Sequence, residues 1–148
     1  MRRGYSNAVL SDGGQLLIRY DDFLEQVAQC TGLNRAYGDR AIVAVLETLS
    51  ERIGSKQAGD LATELPRQLR AAVAEAPDQP AQFPADDFVR KVAAREWIPA
   101  REARVHAKVV LRTLRQTVHN GEVRDVLSKL PPDYQSLWGE SRPIAAQP

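Results

Sequence analysis

The chain has 148 residues, of which 43% are hydrophobic and 26% are charged, and its formal net charge is +1. This composition is typical of a folded globular unit, and no apolar run reaches the roughly 18–20 residues that a membrane-spanning helix requires. A net charge near zero provides no overall attraction to nucleic acid or to an anionic membrane. Residues 7–18 are broken by polar residues and glycines, which argues against an export signal, and the single cysteine excludes an intrachain disulfide. We therefore expect a cytoplasmic protein.

The chain matches itself at a shift of 65 residues, without a gap, so that residues 21–73 align with residues 86–138. The matched positions are mainly those that pack or begin and end helices: Asp22/Asp87, Phe23/Phe88, Val27/Val92, Leu46/Leu111, Leu49/Leu114, Leu65/Leu130 and Pro66/Pro131. A repeat of this size is marginal as an isolated domain, so the two copies are expected to share a core. The sequence predicts an all-α fold, a tandem duplication of a four-helix unit packed as a pseudo-two-fold helical bundle.

The expected organisation is an N-terminal extension (1–19), repeat 1 (20–73), a proline-containing linker (74–85), repeat 2 (86–138) and a C-terminal tail (139–148). We expect the extension to be mobile at least to Gly14, while residues 16–18 dock on the fold or lengthen the first helix. The linker is expected to be semi-rigid, because it holds three prolines, and the tail is expected to fray.

The first helix of each copy is expected to begin at an aspartate pair, Asp21-Asp22 or Asp86-Asp87, whose carboxylates can cap the first-turn amides and favour the helix dipole. Acid–base chemistry at these pairs would need a cleft and a raised pKa, so capping is preferred.

The second helix is predicted at 35–53 and at 100–118, with Asn34 capping the first of these. Its apolar residues recur every three or four positions and form one buried stripe: Ile42, Val45, Leu46, Leu49 and Ile53, then Ala107, Val110, Leu111, Leu114 and Val118. A short third helix is expected after Ser55 or Asn120, and a fourth begins at Pro66 or Pro131.

The motifs Asp-Phe-x3-Val-Ala, Val-Leu-x-Thr-Leu and Asp-Leu-x3-Leu-Pro occur in order from Asp22, Val45 and Asp60, and again from Asp87, Val110 and Asp125, with Val126 replacing a leucine. This order resembles the bacterial domain-of-unknown-function 2267 family over about residues 20–138. The resemblance implies an all-helical repeat, no established activity and no catalytic residue. The second copy departs from the first at Trp97, which replaces Gly32, and a different turn is expected there.

The residues that carry chemistry are few. Neither common phosphate-binding glycine loop occurs, and Cys30, His106 and His119 are too few for a structural zinc site. Glu102 and His106 could share a helix face, but a metal site would need further ligands. Cys30 is predicted to be a small core residue. We expect no cofactor, no metal and no enzymatic activity, and the sequence identifies no small-molecule substrate.

Five basic residues follow spacings of 3, 4, 4 and 3 in the second copy, which places them within roughly an 80° arc of one helix. We call them the basic ridge: Arg101, Arg104, Lys108, Arg112 and Arg115. The first copy lacks the ridge, and it holds 6 basic against 8 acidic residues over 21–73, whereas 86–138 hold 10 against 7. The difference between the copies is therefore where function is sought.

Three interpretations of the basic ridge stay open: a solvated surface, pairing with the acidic residues Asp39, Glu47 and Glu51 within or between chains, and phosphate binding. Trp97 and Trp138 are expected to be half-buried core residues, with exposure at a partner site as the alternative. We expect a non-enzymatic interaction or scaffold module that recognises a protein partner or itself. The alternative is sequence-nonspecific nucleic-acid binding through residues 101–115.

Overall fold

The computed structural model describes the backbone of residues 8–10, 16–117 and 121–138, and the side chains of residues 19–116 and 123–138. A short hairpin comes first, in which strand β1 (Ala8–Leu10) pairs antiparallel with strand β2 (Leu16–Ile18) and Val9 lies opposite Leu17. The other elements described are helical.

The hairpin corrects one expectation about the extension. Residues 16–18 do not lengthen the first helix, because Arg19 has an extended backbone (φ −81°, ψ 139°) that ends the helix on its N-terminal side. They pair as a strand instead. The predicted mobility of residues 1–7 and 11–14 concerns positions outside the described ones, as does the predicted fraying of residues 139–148.

The first helix of each copy has its aspartate pair inside the first turn, not in front of it. Helix α1 (Tyr20–Thr31) follows Arg19, and helix α4 (Ala85–Glu96) follows Pro84; neither N-cap residue makes a side-chain capping bond. The aspartates still favour the positive end of the helix dipole. The capping prediction is nevertheless wrong, since Arg19 and Pro84 occupy the N-cap positions that the aspartates were predicted to fill.

Helix α4 is capped by a residue distant in sequence. The backbone N–H of Ala85 donates to Oδ2 of Asp133, at 2.8 Å. This bond joins the start of the second copy to its end.

Helix α2 (Arg35–Ala62) begins as predicted, since the Asn34 carboxamide oxygen accepts a hydrogen bond from the Tyr37 N–H at 2.9 Å. It runs further than predicted. The expected second and third helices form one element, interrupted at Gly54, whose backbone (φ 87°, ψ 167°) is not helical. Proline is absent from this stretch, so the chain resumes its helical course one residue later.

The linker fills the interruption in α2. The Ser55 N–H would ordinarily bond to the Glu51 carbonyl; it donates instead to the carbonyl of Pro77 at 2.7 Å, while Glu51 accepts from the Ala81 N–H at 3.0 Å. A Cβ atom on Gly54 would lie 3.0 Å from the Pro80 nitrogen. The linker is thus bonded into the helix break on both sides, and is more firmly held than a semi-rigid connector.

The remaining helices follow the predicted order. They are α3 (Arg67–Arg70) with a 3₁₀ turn at Ala71–Val73, α5 (Ala100–Thr117), α6 (Gly121–Ser128), a 3₁₀ turn at Pro132–Tyr134, and α7 (Gln135–Trp138). Pro66 and Pro131 each precede a new helical turn, as expected.

One hydrophobic core runs through both copies. Helix α1 packs on α2 and α5, while α4 packs on α5 and α2, and the two long helices also contact each other. Every apolar stripe residue predicted on α2 and α5 is buried, apart from Val118, which lies outside the described residues. The ring of Phe88 meets that of Tyr134 edge-on, with centroids 5.7 Å apart. Among the described helices, none combines the length and the apolar character needed to cross a bilayer.

Candidate interaction surface

The basic ridge lies along α5, as the spacing predicted, and the structure divides it into two groups. Arg104 donates from Nη2 to Asp86 Oδ1 at 2.8 Å, and this bond holds the pKa of the Asp86 carboxyl below its usual range. The guanidinium of Arg115 stacks on the Trp138 ring, 5.4 Å from its centroid. These two residues lie on one flank of the ridge.

The other three ridge residues form a line. Counted at 100° per residue, Arg101, Lys108 and Arg112 fall within roughly 40° of each other. No carboxylate in the described part of the chain forms an ion pair with any of them. Val105, which is 49% exposed, borders this line on the side away from Arg104. The ridge therefore presents three cations and an apolar side chain to the solvent.

The acidic residues proposed as a counterpart are engaged elsewhere. Asp39 accepts a hydrogen bond from the Tyr20 hydroxyl, and burial together with this carboxylate raises the pKa of Tyr20 to about 12. Glu51 lies 3.5 Å from Lys91 Nζ, and Glu47 lies 3.5 Å from Arg95 Nε. The predicted pairing of these acids with the ridge is not formed within the chain.

The charge contact between the copies is made by α2 and α4. Arg95 reaches across to three residues of α2, at 2.6 Å from the Thr48 hydroxyl and 3.5 Å from each carboxylate, Glu47 and Glu51. Sequence reasoning missed Lys91 and Arg95. The available signal was their spacing of four, which matches the spacing of Glu47 and Glu51 and gives each pair a common helix face.

Trp97 is the most exposed large hydrophobic residue described, at 85%, so the expectation of a half-buried core position is wrong. It ends α4 in the left-handed conformation (φ 61°, ψ 47°), and its N–H donates to the Ala93 carbonyl. Gly32 ends α1 in the same way (φ 78°, ψ 6°), with its N–H on Ala28. The two cap residues thus share the left-handed conformation, but the turns differ at the next residue: the Ile98 N–H donates to the Ala93 carbonyl, whereas the Leu33 N–H donates to the Thr31 hydroxyl. Trp138 is half-buried, as predicted.

One protein family matches this chain over residues 20–137, from the first residue of α1 to the last turn of α7. The family is described as an uncharacterised conserved protein, DUF2267. The chain belongs to this family. Comparison with curated proteins finds no match. The family assigned from the ordered motifs is confirmed, and for a DUF2267 protein any function has to be argued from the surface that the helices present.

Two further positions in this DUF2267 chain differ from expectation. Cys30 is exposed, because the buried arc of α1 is centred on Leu24 and Val27 and leaves Cys30 at its edge, beside Gln26. The buried-core prediction for Cys30 is wrong.

His106 is not paired with Glu102. It is buried, and its Nδ1 lies 2.9 Å and 3.1 Å from the two carboxylate oxygens of Glu96, which is buried as well. Within the described residues, no group of three metal-binding side chains forms. The Glu96–His106 pair joins the end of α4 to α5 and fixes the turn that carries Trp97.

Proposed function

We propose that this protein is a non-enzymatic interaction module that binds an acidic segment of a protein partner. The proposed docking face consists of Trp97, Val105 and the line of Arg101, Lys108 and Arg112. The observation that carries the proposal is the exposure of Trp97, at 85%, on the turn that leads into the basic helix. Arg101 follows it by four residues.

The conformation of Trp97 supports a role outside folding. A left-handed backbone costs an L-residue roughly 1–2 kcal/mol, and glycine takes it without steric cost. Gly32 fills the same position in the first copy. The Trp97 side chain is exposed, and its backbone conformation carries an energetic cost. A contact between the indole ring and a binding partner would explain why tryptophan occupies this position.

The charges around Trp97 favour an acidic partner. Tryptophan and arginine are the residues most often found at the energetic centre of protein interfaces. Glu47 and Glu51 are engaged by α4, so they do not neutralise Arg101, Lys108 and Arg112. A complementary charge on the partner would speed association and fix its orientation.

Nucleic-acid binding is the second candidate, and it is supported by the line of three cations, which form no ion pair with the described carboxylates. If each contacted a phosphate, the logarithm of the binding constant would fall with the logarithm of salt concentration at a slope of about −2.7. A gel shift with duplex DNA and RNA at low and physiological salt tests this. No shift at low salt removes the candidate.

The test of the first candidate uses three forms of the protein as bait in lysate of the native host, after nuclease treatment. They are the wild type, Trp97→Gly, and the triple reversal of Arg101, Lys108 and Arg112 to Glu. A specific partner should be retained by the wild type and lost from both variants. Retention by all three would contradict the proposed face. Sedimentation of the wild type against the triple variant separates a foreign partner from self-association.

We also infer that the fold is a tandem duplication of a four-helix unit with pseudo-two-fold packing. The reciprocal contacts support this, since α1 of the first copy packs on α5 while α4 of the second packs on α2. The matching left-handed caps at Gly32 and Trp97 support it as well. A bacterial cytosol is the location that we propose, in keeping with a single exposed cysteine.

A further inference from the structure

A second surface feature lies beside the helix break at Gly54. A cavity of about 590 Å³ opens between the second half of α2, the linker and the end of α6. Its volume is in the range of small-molecule sites. Apolar groups such as Ile53 and Leu130 contribute to its walls, together with three basic side chains, Arg52, Lys56 and Lys129.

Arg52 is the unusual member of this wall, because it is a buried cation, 7% exposed. Its Nε donates to the Phe83 carbonyl at 3.1 Å, and its guanidinium lies 5.5 Å from the centroid of the Tyr134 ring. No carboxylate of the described residues is within ion-pair distance of it. A buried charge is costly unless an opposite charge compensates it.

The other charges of the cavity are exposed. Lys56 and Lys129 are both solvent-accessible, and Lys129 also forms an ion pair with Asp125, at 3.2 Å. Asp78 of the linker is the carboxylate of the cavity wall, and it is likewise exposed. The wall thus carries three cations and one anion. Arg52 is the buried cation, and its hydrogen bond to the Phe83 carbonyl holds it in place.

We propose that this cavity binds the phosphate group of a small molecule. The Arg52 guanidinium has five N–H donors; the Phe83 carbonyl takes one and the Tyr134 hydroxyl is a further partner, so it retains donors for an anion. Lys56 and Lys129 would close on the same phosphate from the open side, as mobile point charges. Binding would supply an anionic partner for Arg52, whose contacts among the described residues include the Phe83 carbonyl and the rings of Phe83 and Tyr134. This site is separate from the docking face of Trp97 and the basic ridge and does not depend on it.

The experiment is a titration of the whole protein with pyrophosphate, followed by amide NMR shifts at constant ionic strength adjusted with sodium chloride. Saturable shifts are expected at the amides of residues 52–57, of 78–82 apart from Pro80, and of 126–130. The double variant Lys56→Gln/Lys129→Gln, which changes only exposed side chains, should weaken binding by at least about tenfold. Asp78→Asn should strengthen it.

The matched control is Arg40→Gln/Arg124→Gln, which removes the same charge from exposed positions that do not line the cavity. Its affinity should equal that of the wild type. Arg52→Met provides a second variant, which keeps most of the apolar stem and should abolish binding while the spectrum stays folded. Shifts that do not saturate at millimolar pyrophosphate, or an equal loss in the control variant, would overturn the proposal.

Discussion

Trp97 and Gly32 stand at the same position of two similar helices and have the same left-handed backbone conformation. At the cap position itself, the side chain is therefore the main difference between the two turns. A Cβ atom on Gly32 would have no neighbour within 4 Å, so space does not decide the choice either. The two positions therefore differ in energy mainly by the strain that a side chain adds to the left-handed backbone at Trp97.

Replacing Trp97 by glycine should stabilise the fold. Relief of the left-handed strain, less the backbone entropy that glycine loses on folding, leaves a gain of roughly 0.5–1 kcal/mol in the free energy of unfolding. Gly32→Trp is the matched control and should lower that free energy by a similar amount. Urea unfolding measures both. A Trp97→Gly protein less stable than the wild type would mean that the indole contributes to the fold.

Tyr134 gives the fold a dependence on alkaline pH. Its hydroxyl is buried and donates to the Phe83 carbonyl at 2.6 Å; burial raises its pKa to about 12 from 10.0, against the opposing effect of Arg52. The unfolded chain loses this proton first, so the contribution of Tyr134 is fully present below pH 10 and declines up to about pH 12. Tyr134→Phe should flatten the pH dependence of the urea midpoint across this interval. An unchanged slope would contradict the assignment.

At the scale of elements, the sequence did not reveal what fills the break in α2. One helix was predicted at 35–53 and a short one after Ser55, and the linker was predicted only from its prolines. The bonds from Ser55 to Pro77 and from Ala81 to Glu51 join those two features. They involve backbone groups, which no side-chain pattern encodes, so the sequence could indicate the break but not its occupant.

Gly54→Ala tests this insertion. The backbone dihedral angles of Gly54 lie in a region that is essentially restricted to glycine, and the added Cβ would meet Pro80. We therefore expect the free energy of unfolding to fall by about 2 kcal/mol or more. Gly59→Ala, in the regular part of the same helix and with open space around it, should instead gain about 0.5–1 kcal/mol. Thermal unfolding of the two variants measures whether Gly54→Ala lowers and Gly59→Ala raises the stability of the protein. A neutral Gly54→Ala would show that the linker is not held as described.

The α2–α4 contact gives a second prediction for elements. Arg95→Met removes a bond to Thr48 and two ion pairs, all partly exposed, and should cost about 1–2 kcal/mol. Arg90→Met, on the same helix, removes one exposed ion pair with Asp87 and should cost less than about 0.5 kcal/mol. The difference between the stability losses of the two variants should become smaller at high salt, because salt screens ion pairs. Equal losses would rule out Arg95 as the electrostatic link between the helices.

For the whole molecule, the sequence predicted the helical class, the stripe residues and the family, because these depend on periodic burial and on ordered motifs. It placed the basic ridge correctly on one face of α5. It did not predict that Arg104 and Arg115 would be engaged, or that Glu47 and Glu51 would face α4. Arg104 and Arg115 are engaged by Asp86 and Trp138 of their own copy, so that outcome depends on packing within the repeat. Glu47 and Glu51 face α4 because the two copies pack together, which brings residues more than forty positions apart into contact.

The most direct test of the docking face places a photocrosslinking phenylalanine analogue at position 97 or, as the control, at position 37. Tyr37 is an exposed aromatic residue of the first copy, at 56%, and lies outside the proposed face. On irradiation in the native host, position 97 should yield a discrete protein adduct that disappears when Arg101, Lys108 and Arg112 are reversed to Glu. Adducts of equal yield at both positions, or an adduct at position 97 that survives the reversal, would contradict the account.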